Sequence, residues 1–349
     1  MPLAVYVHPL KEELLSSWVM RTCHANATSL YSLLWHFKLN NQAQVDIDQT
    51  QSPEFLRWLA TTLNHPDGFT GAKAMSLLPI QEITTLFPHK SWIRGIDRRA
   101  FKWRSFRFCP QCLQEAPQPY FKRLWRVEWY EVCPKHHLAM YNGCPRCSKP
   151  IVLHRISWEK PHVAHCYNCK SDLSSFPPQT VPINTNTHAA IEGLCALISN
   201  RSQEDYAAIH FLEALLEQGR RLKGVSSPIE SLKNVGINNS AEYAENFPAS
   251  FLATAAYELW HLDGDSLNKF ILENQGWFNL AARDYSCPNV FKHFHRVWFK
   301  AHELNEDTMN QIAKEIRDAG VEATPGRIAR KIGCNIRRVE KFLTKKHQQ

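Results

Sequence analysis

Long apolar runs are missing from this sequence: none reaches the ~18–20 residues of a membrane-spanning helix. The opening stretch, Met1-Pro-Leu-Ala-Val-Tyr-Val-His8, lacks a basic segment ahead of an extended apolar one, which argues against an export signal. No heptad pattern and no period of about 20–50 residues recurs, so coiled coils and solenoids are excluded. There is no Walker loop and no G-x-S-x-G elbow, which speaks against a P-loop ATPase or a serine hydrolase. Nor is there a cluster of metal-binding carboxylates suited to cleaving DNA. Glycine is scarce, 13 among 349 residues, whereas 20 prolines and 11 tryptophans imply short elements pinned by aromatic packing. With 44% hydrophobic and 11% aromatic residues the chain is not intrinsically disordered. The expectation is a soluble, cytoplasmic protein of two or three domains.

What the sequence does have is cysteine, in a particular arrangement. Of 11 cysteines, six form three C-x-x-C pairs and a seventh opens a C-x-x-H, all between residues 109 and 169. In a reducing compartment such pairs read as metal ligands rather than disulfides. The ligand candidates are Cys109, Cys112, Cys133, His136, Cys144, Cys147, Cys166 and Cys169. Two residues between ligands let a tight knuckle aim both at one ion. Twenty residues separate the first two knuckles and 18 the last two, near the spacing of zinc ribbons. Eight ligands make two tetrahedral Zn2+ sites per chain, one with three cysteines and a histidine, one with four cysteines. Full protein ligation leaves no open position, so both sites are expected to be structural. Spacing alone leaves two alternatives standing: His137 in place of His136, and a cross-braced rather than sequential pairing of knuckles. His154, His162 and His165 read as surface or core residues, and Cys23, Cys195, Cys287 and Cys334 as small buried hydrophobes.

Charge is the second signal. The net charge is +8, and residues 323–349 hold eight Lys or Arg against one acid, Glu340. A second basic stretch runs through Lys90, Arg94, Arg98, Arg99, Lys102, Arg104 and Arg107. Concentrated positive charge points to a polyanionic partner. The tail also fits a helix-turn-helix. Thr324 and Pro325 start a helix whose buried face is Ile328, Ala329 and Ile332; Gly333 permits the turn. Asn335 then caps a second helix held by Val339, Phe342 and Leu343. Candidate DNA contacts are Arg327, Arg330, Lys331, Arg337, Arg338, Lys341 and Lys345, with Arg337 and Lys341 placed to read base edges.

Helical periodicity marks two short helices within 9–40, others at Leu56–Leu63 and Ile80–Phe87, and a loop at Val45–Pro53. Tyr120–Val132 alternates aromatics and charges as hairpin strands would. The proline-rich run Ser174–Pro182 marks a boundary, beyond which 188–199, 204–222, 248–261, 265–275 and 288–302 read as amphipathic helices. The expected fold is mainly α with a central pair of small zinc-ribbon modules and a C-terminal helix-turn-helix. Its segments are an N-terminal helical domain (1–105), a double zinc module (106–176), a helical domain (183–303) and a basic helix-turn-helix (304–349).

These motifs resemble the TniQ family, which includes the TnsD-type target selectors of Tn-seven-like transposons. The N-terminal match is Glu13-Leu-Leu-Ser-Ser-Trp18, an apolar pair with Arg21, then Ala25-Asn26. Ala27 stands where a glycine often follows the asparagine. The stronger match is Arg107-Phe-Cys-Pro-Gln-Cys-Leu-Gln-Glu115, Trp125-Arg126, Val132-Cys-Pro-Lys-His136, Leu138 and Cys144-Pro-Arg-Cys147. The resemblance covers about residues 9–170. It implies an adaptor rather than an enzyme. Such a protein selects a target through attachment-site DNA or a CRISPR guide-RNA complex, and recruits an AAA+ ATPase of the TnsC or TniB type, with a homodimer as a further expected assembly. Arg98, Arg99, Lys102 and Arg104 are then candidate contacts to the ATPase or to nearby DNA. Competing readings are a zinc-containing helix-turn-helix transcription regulator and, behind it, a zinc-ribbon nuclease or recombinase.

Overall fold

A computed structural model describes residues 3–36, 46–49, 52–80, 92–94, 106–180, 185–200, 203–221, 228–237, 241–284, 287–291, 306–318, 320–332, 339–340 and 343. The chain is mostly helical and divides into two compact units, Met1–Ile191 and Glu192–Gln349. Among the described residues no helix is long and apolar enough to cross a membrane.

The first unit begins with α1 (Leu15–Ala25) and α2 (Leu30–His36), followed by α3 (Pro53–Thr62) and α4 (Gly68–Met75). Every residue of α1 from Leu15 to Cys23 is buried, including four polar ones. A buried polar group must find a partner or forfeit its hydration, and each of these four side chains makes at least one bond. Ser16 donates its N–H and Oγ–H to the two carboxylate oxygens of Asp48, both at 2.7 Å. Ser17 Oγ donates to Glu13 at 2.9 Å and accepts from the Phe121 N–H at 2.9 Å. Arg21 pairs with Glu13 at 2.6 Å and donates to Gln118 Oε1 at 2.7 Å. Thr22 donates back to the Trp18 carbonyl at 2.9 Å. Beyond the helix, Asn26 clamps the Val5 backbone through both its side-chain groups. Ala27 then adopts φ +49°, a left-handed turn that costs a side chain about 1–2 kcal/mol and that glycine would adopt freely.

Three local expectations change. The polar stretch Val45–Pro53 is not simply a loop: Ile47–Gln49 forms a 3-10 turn in which Asp48 is fully buried, held by Ser16 and by Arg126 at 3.0 Å. Tyr120–Val132 is not a hairpin. A 3-10 turn at Arg123–Arg126 folds it so that Phe121, Trp125 and Trp129 all point into the core. Among the described residues strands are confined to β1 (Val132–Cys133), β2 (Leu138–Ala139) and β3 (Gln179–Thr180), an antiparallel sheet in that order. β3 arises inside the proline-rich run, at a sheet edge, where a missing N–H does no harm. The third change concerns charge. Arg94 and Arg107 of the basic stretch are buried, Arg94 donating to Asn142 at 2.7 Å and Arg107 pairing with Glu131 at 2.9 Å. These two cations are internal struts and not part of a surface patch.

The helix α5 (Pro110–Glu115) belongs to the cysteine region, and α6 (Thr185–Asn200) leads out of it. The second unit continues with α7 (Gln203–Arg221), α8 (Pro228–Ser231), α9 (Ala241–Asn246), α10 (Pro248–Trp260), α11 (Gly264–Glu273) and α12 (Gln275–Asp284). Pro248 sits in the first turn of α10, where its missing N–H is harmless. α10 packs against α7, with Ala253 and Ala256 of α10 fully buried, and Phe211, Phe278 and Phe291 pack ring against ring at 5.3–6.0 Å. The apolar pattern at 265–275 does not end there. Asn274 interrupts the helix by bonding back to the Phe270 carbonyl at 2.8 Å, and α12 restarts at once. Only a 3-10 turn, Asn289–Phe291, is described within the helix expected over 288–302.

Toward the C-terminus, α13 (Glu306–Asp318) and α14 (Pro325–Ile332) share one small core of Met309, Ala313, Ile316, Ile328, Ala329 and Val339. Thr324 caps α14: its Oγ1 is 3.4 Å from the Arg327 N–H, and its carbonyl accepts from Ile328 at 3.0 Å. Asn335 and Phe342 lie outside the described residues.

Candidate metal centres

The first centre is assembled from two arms. Cys109 ends an extended segment, Pro110 starts α5, and Cys112 falls in its first turn, so both sulfurs lie at one helix end. The opposite arm is the β1–β2 turn, where Cys133 leaves the sheet and His136 follows. A bridge between Phe108 and Tyr141 holds the two arms side by side. Ligand atoms of Cys109, Cys112, Cys133 and His136 lie within 4.8 Å of one another. The His136 Nδ1 is 3.3 Å from the sulfurs of Cys109 and Cys112 and 3.6 Å from Cys133, and Cys112 and Cys133 are 3.7 Å apart. A zinc tetrahedron with Zn–S of about 2.3 Å and Zn–N of about 2.0–2.1 Å has edges of about 3.6–3.8 Å, so one ion fits at the centre.

Cys144, Cys147, Cys166 and Cys169 form the second group, with Cys144–Cys169 at 3.5 Å and Cys147–Cys166 at 3.6 Å. These separations match tetrahedral edges and far exceed a disulfide bond of about 2.05 Å. Three of the knuckles share one backbone device. The fourth residue after the leading cysteine turns left-handed and its N–H closes on that cysteine's carbonyl: His137 to Cys133 at 2.8 Å, Ser148 to Cys144 at 2.8 Å, Lys170 to Cys166 at 3.0 Å. Their φ values are +55°, +54° and +63°, and none is glycine. The left-handed turn aims the cysteine pair, and ligation must compensate its strain.

The grouping is sequential, knuckle one with two and three with four. His136, not His137, joins the first set. His137 stacks on His188 instead, ring centroids 4.4 Å apart and nearly parallel at 7°. The reason lies in Glu115, to which the sequence reading gave no role. Its carboxylate sits 3.0 Å from His136 Nε2, which keeps the proton there and turns the Nδ1 lone pair to the sulfurs. The only sequence clue is its position three residues after Cys112 on α5. Exchanging it tests this. Glu115→Gln should weaken zinc affinity about 10-fold or more, measured by competition with a chromophoric chelator. Unchanged affinity would remove the carboxylate from the site.

Electrostatics favour a cation in both groups. Hydrogen bonds from the Cys109 and Cys112 thiols push Cys133 down to about 2, while hydrogen bonding to Cys109 and Cys133 drives Cys112 far up. Burial pushes Cys144 up to about 12. Such crowded sulfurs cannot all ionise without a positive ion between them, and a bound divalent ion removes the conflict. Closed tetrahedra of soft thiolates with one imidazole suit zinc.

Of the candidate DNA contacts, Arg327 has a described side chain: it is half-buried and donates to the Glu322 carbonyl at 2.8 Å, supporting the turn before α14. Arg330 and Lys331 belong to α14, but their side chains lie outside the described residues, as do Arg337, Arg338, Lys341 and Lys345 altogether. Arg98, Arg99, Lys102 and Arg104 also fall outside them.

Compared with known families, residues 4–140 match the model described as TniQ. That span takes in α1 to α5 and the whole first metal centre. No curated protein matches the chain.

Proposed function

The chain belongs to the TniQ family through residues 4–140, and on that premise we propose that it is a target-selection adaptor of DNA transposition rather than an enzyme. The match over residues 4–140 is the observation that carries this reading. In it, one part of the protein engages the target, as attachment-site DNA or as a guide-RNA complex, and another recruits an AAA+ ATPase. The metal centres are scaffolds in this scheme: all four positions of each tetrahedron are taken by protein, which leaves no place for substrate or water. Arg98, Arg99, Lys102 and Arg104 are assigned to the ATPase or adjacent DNA phosphates, and a charge-reversed Arg98/Arg99 variant should fold but lose that binding.

The C-terminal segment is assigned to nucleic acid as a helix-turn-helix. Support comes from the core that α13 and α14 share with Val339, against which Leu343 is also packed. Arg327, Arg330, Lys331, Arg338 and Lys345 would neutralise four or five phosphates, so DNA affinity should fall with salt at a log–log slope of about −4. Arg337→Ala should relax sequence preference, whereas Lys345→Ala should weaken all sequences alike. Gel-shift titrations of the full chain and of a chain ending at Glu322, over a salt series, decide the matter. Equal, salt-insensitive binding by both would refute the DNA assignment. Normal transposition targeting in cells lacking the protein would refute the adaptor.

A further inference from the structure

Outside both cysteine centres, three more side chains converge. His162, His165 and Asp172 each offer one ligand atom, all within 4.8 Å of one another. By sequence both histidines read as surface or core residues. Their H-x-x-H spacing places the rings 4.4 Å apart, and an antiparallel bridge between His165 and Asp172 brings the carboxylate to them.

Two of the three are already held from behind. Asp172 Oδ1 accepts from the Ser174 N–H at 2.9 Å and from Ser174 Oγ at 2.6 Å, which leaves Oδ2 facing His162 Nε2 at 3.6 Å. His165 Nδ1 lies 3.0 Å from the His162 carbonyl oxygen, so its proton stays on Nδ1 and the Nε2 lone pair is free to bind. A tetrahedral ion with ligands at about 2.0–2.1 Å has edges of about 3.4 Å, close to the His162–Asp172 separation. Near this trio stands His24, at the end of α1. Both its ring nitrogens are buried, and the ring meets the Lys160 backbone and feels His165 and His162 electrostatically.

We propose that His162, His165 and Asp172 form a third metal site, specific for a borderline divalent ion such as Zn2+ or Co2+. Two imidazoles and one carboxylate, with no thiolate, select this class over soft ions and over Mg2+ or Ca2+. Three protein ligands leave one coordination position open, unlike either cysteine centre. One element is not preformed. His162 Nδ1 accepts from the Ala164 N–H at 3.3 Å, which places the proton on Nε2 in the free site. Binding must displace that proton, so this site is weaker and exchanges faster than the cysteine centres. It ties the loop after Ile156 to the second cysteine centre, since Asp172 follows Cys169 by three residues.

The test uses the full chain with both cysteine centres filled by zinc, titrated with cobalt chloride and followed by absorption and calorimetry. A third equivalent should bind, with weak visible d–d bands and no thiolate-to-cobalt charge transfer in the near ultraviolet. His162→Gln and Asp172→Asn should each keep two zinc ions per chain but bind the third at least tenfold more weakly. The asparagine preserves the Oδ1 acceptor for Ser174, so the loop stays folded. Saturation of the wild type at two ions, a spectrum dominated by charge transfer, or an unchanged third equivalent in both variants would overturn the site. None of these outcomes depends on whether the protein selects transposition targets.

Discussion

With zinc bound in both cysteine groups, its removal is expected to unfold residues 106–180 outright. Each structural zinc supplies on the order of 10 kcal/mol toward folding, and little else in this stretch replaces it. The regular structure there is one six-residue helix, three two-residue strands and isolated 3-10 turns. Three knuckle residues, His137, Ser148 and Lys170, also hold left-handed backbone without being glycine, a strain that only ligation offsets. Cys109→Ser and Cys166→Ser should each release about one zinc ion per chain, read by a metal-binding dye, and abolish the cooperative melt of the first unit. The effect should reach beyond the knuckles. Phe121, whose backbone is bonded to Ser17 and Leu14 of the helical part, is carried by the same segment. Acid should act as a chelator does, because protonated thiols cannot ligate. A chelated protein that kept its near-ultraviolet circular dichroism and its melting temperature would contradict the assignment.

Arg126→Ala should be the most damaging change away from the metals, costing about 3–5 kcal/mol, the range for breaking one side of a buried ion pair. The guanidinium is 1% exposed. It faces Asp46 and, at 3.0 Å, Asp48; it donates twice to the Arg94 carbonyl, at 3.0 and 2.7 Å, and lies 4.6 Å from the centre of the Phe106 ring. Without it, fully buried Asp48 has a like charge beside it and no counter-ion. Burial, then the neighbouring Asp46, already push the Asp48 carboxyl up, to about 7. Losing the arginine pushes it further. A carboxyl whose folded value lies above its unfolded one binds its proton more tightly in the folded state. The variant should therefore be least stable above that folded value and regain stability as pH falls toward about 4, the unfolded carboxylate range. Denaturant melts at pH 8 and pH 5 check the sign, and a smaller loss at pH 8 than at pH 5 would contradict it. Adding Asp48→Asn should recover part of the deficit at pH 8.

The C-x-x-C and C-x-x-H pairs were legible because a knuckle is local: two ligands, two spacers and a turn, all within five residues. The same holds for Pro248 and Pro325, whose ring geometry marks a helix start whatever surrounds it. Periodicity likewise placed α6, α7, α10 and α11 to within a few residues, since each buries one broad face.

Other features depended on partners far along the chain. Whether His136 or His137 faces the sulfurs turns on Glu115, 21 residues earlier, and on the His188 ring that occupies its neighbour. Sequential or crossed pairing of knuckles is invisible to spacing, since both satisfy the same intervals. Arg94 and Arg107 read as surface charge until carboxylates and carbonyls from Val127–Asn142 enclosed them. Asp48 sits in a stretch with no apolar pattern at all. It is core because Ser16 and Arg126, 32 and 78 residues away, satisfy its carboxylate there. Local backbone preference and ligand spacing are written into neighbouring residues. The burial of a charge is decided by what the fold brings up against it, because only a complete set of partners offsets the hydration it loses.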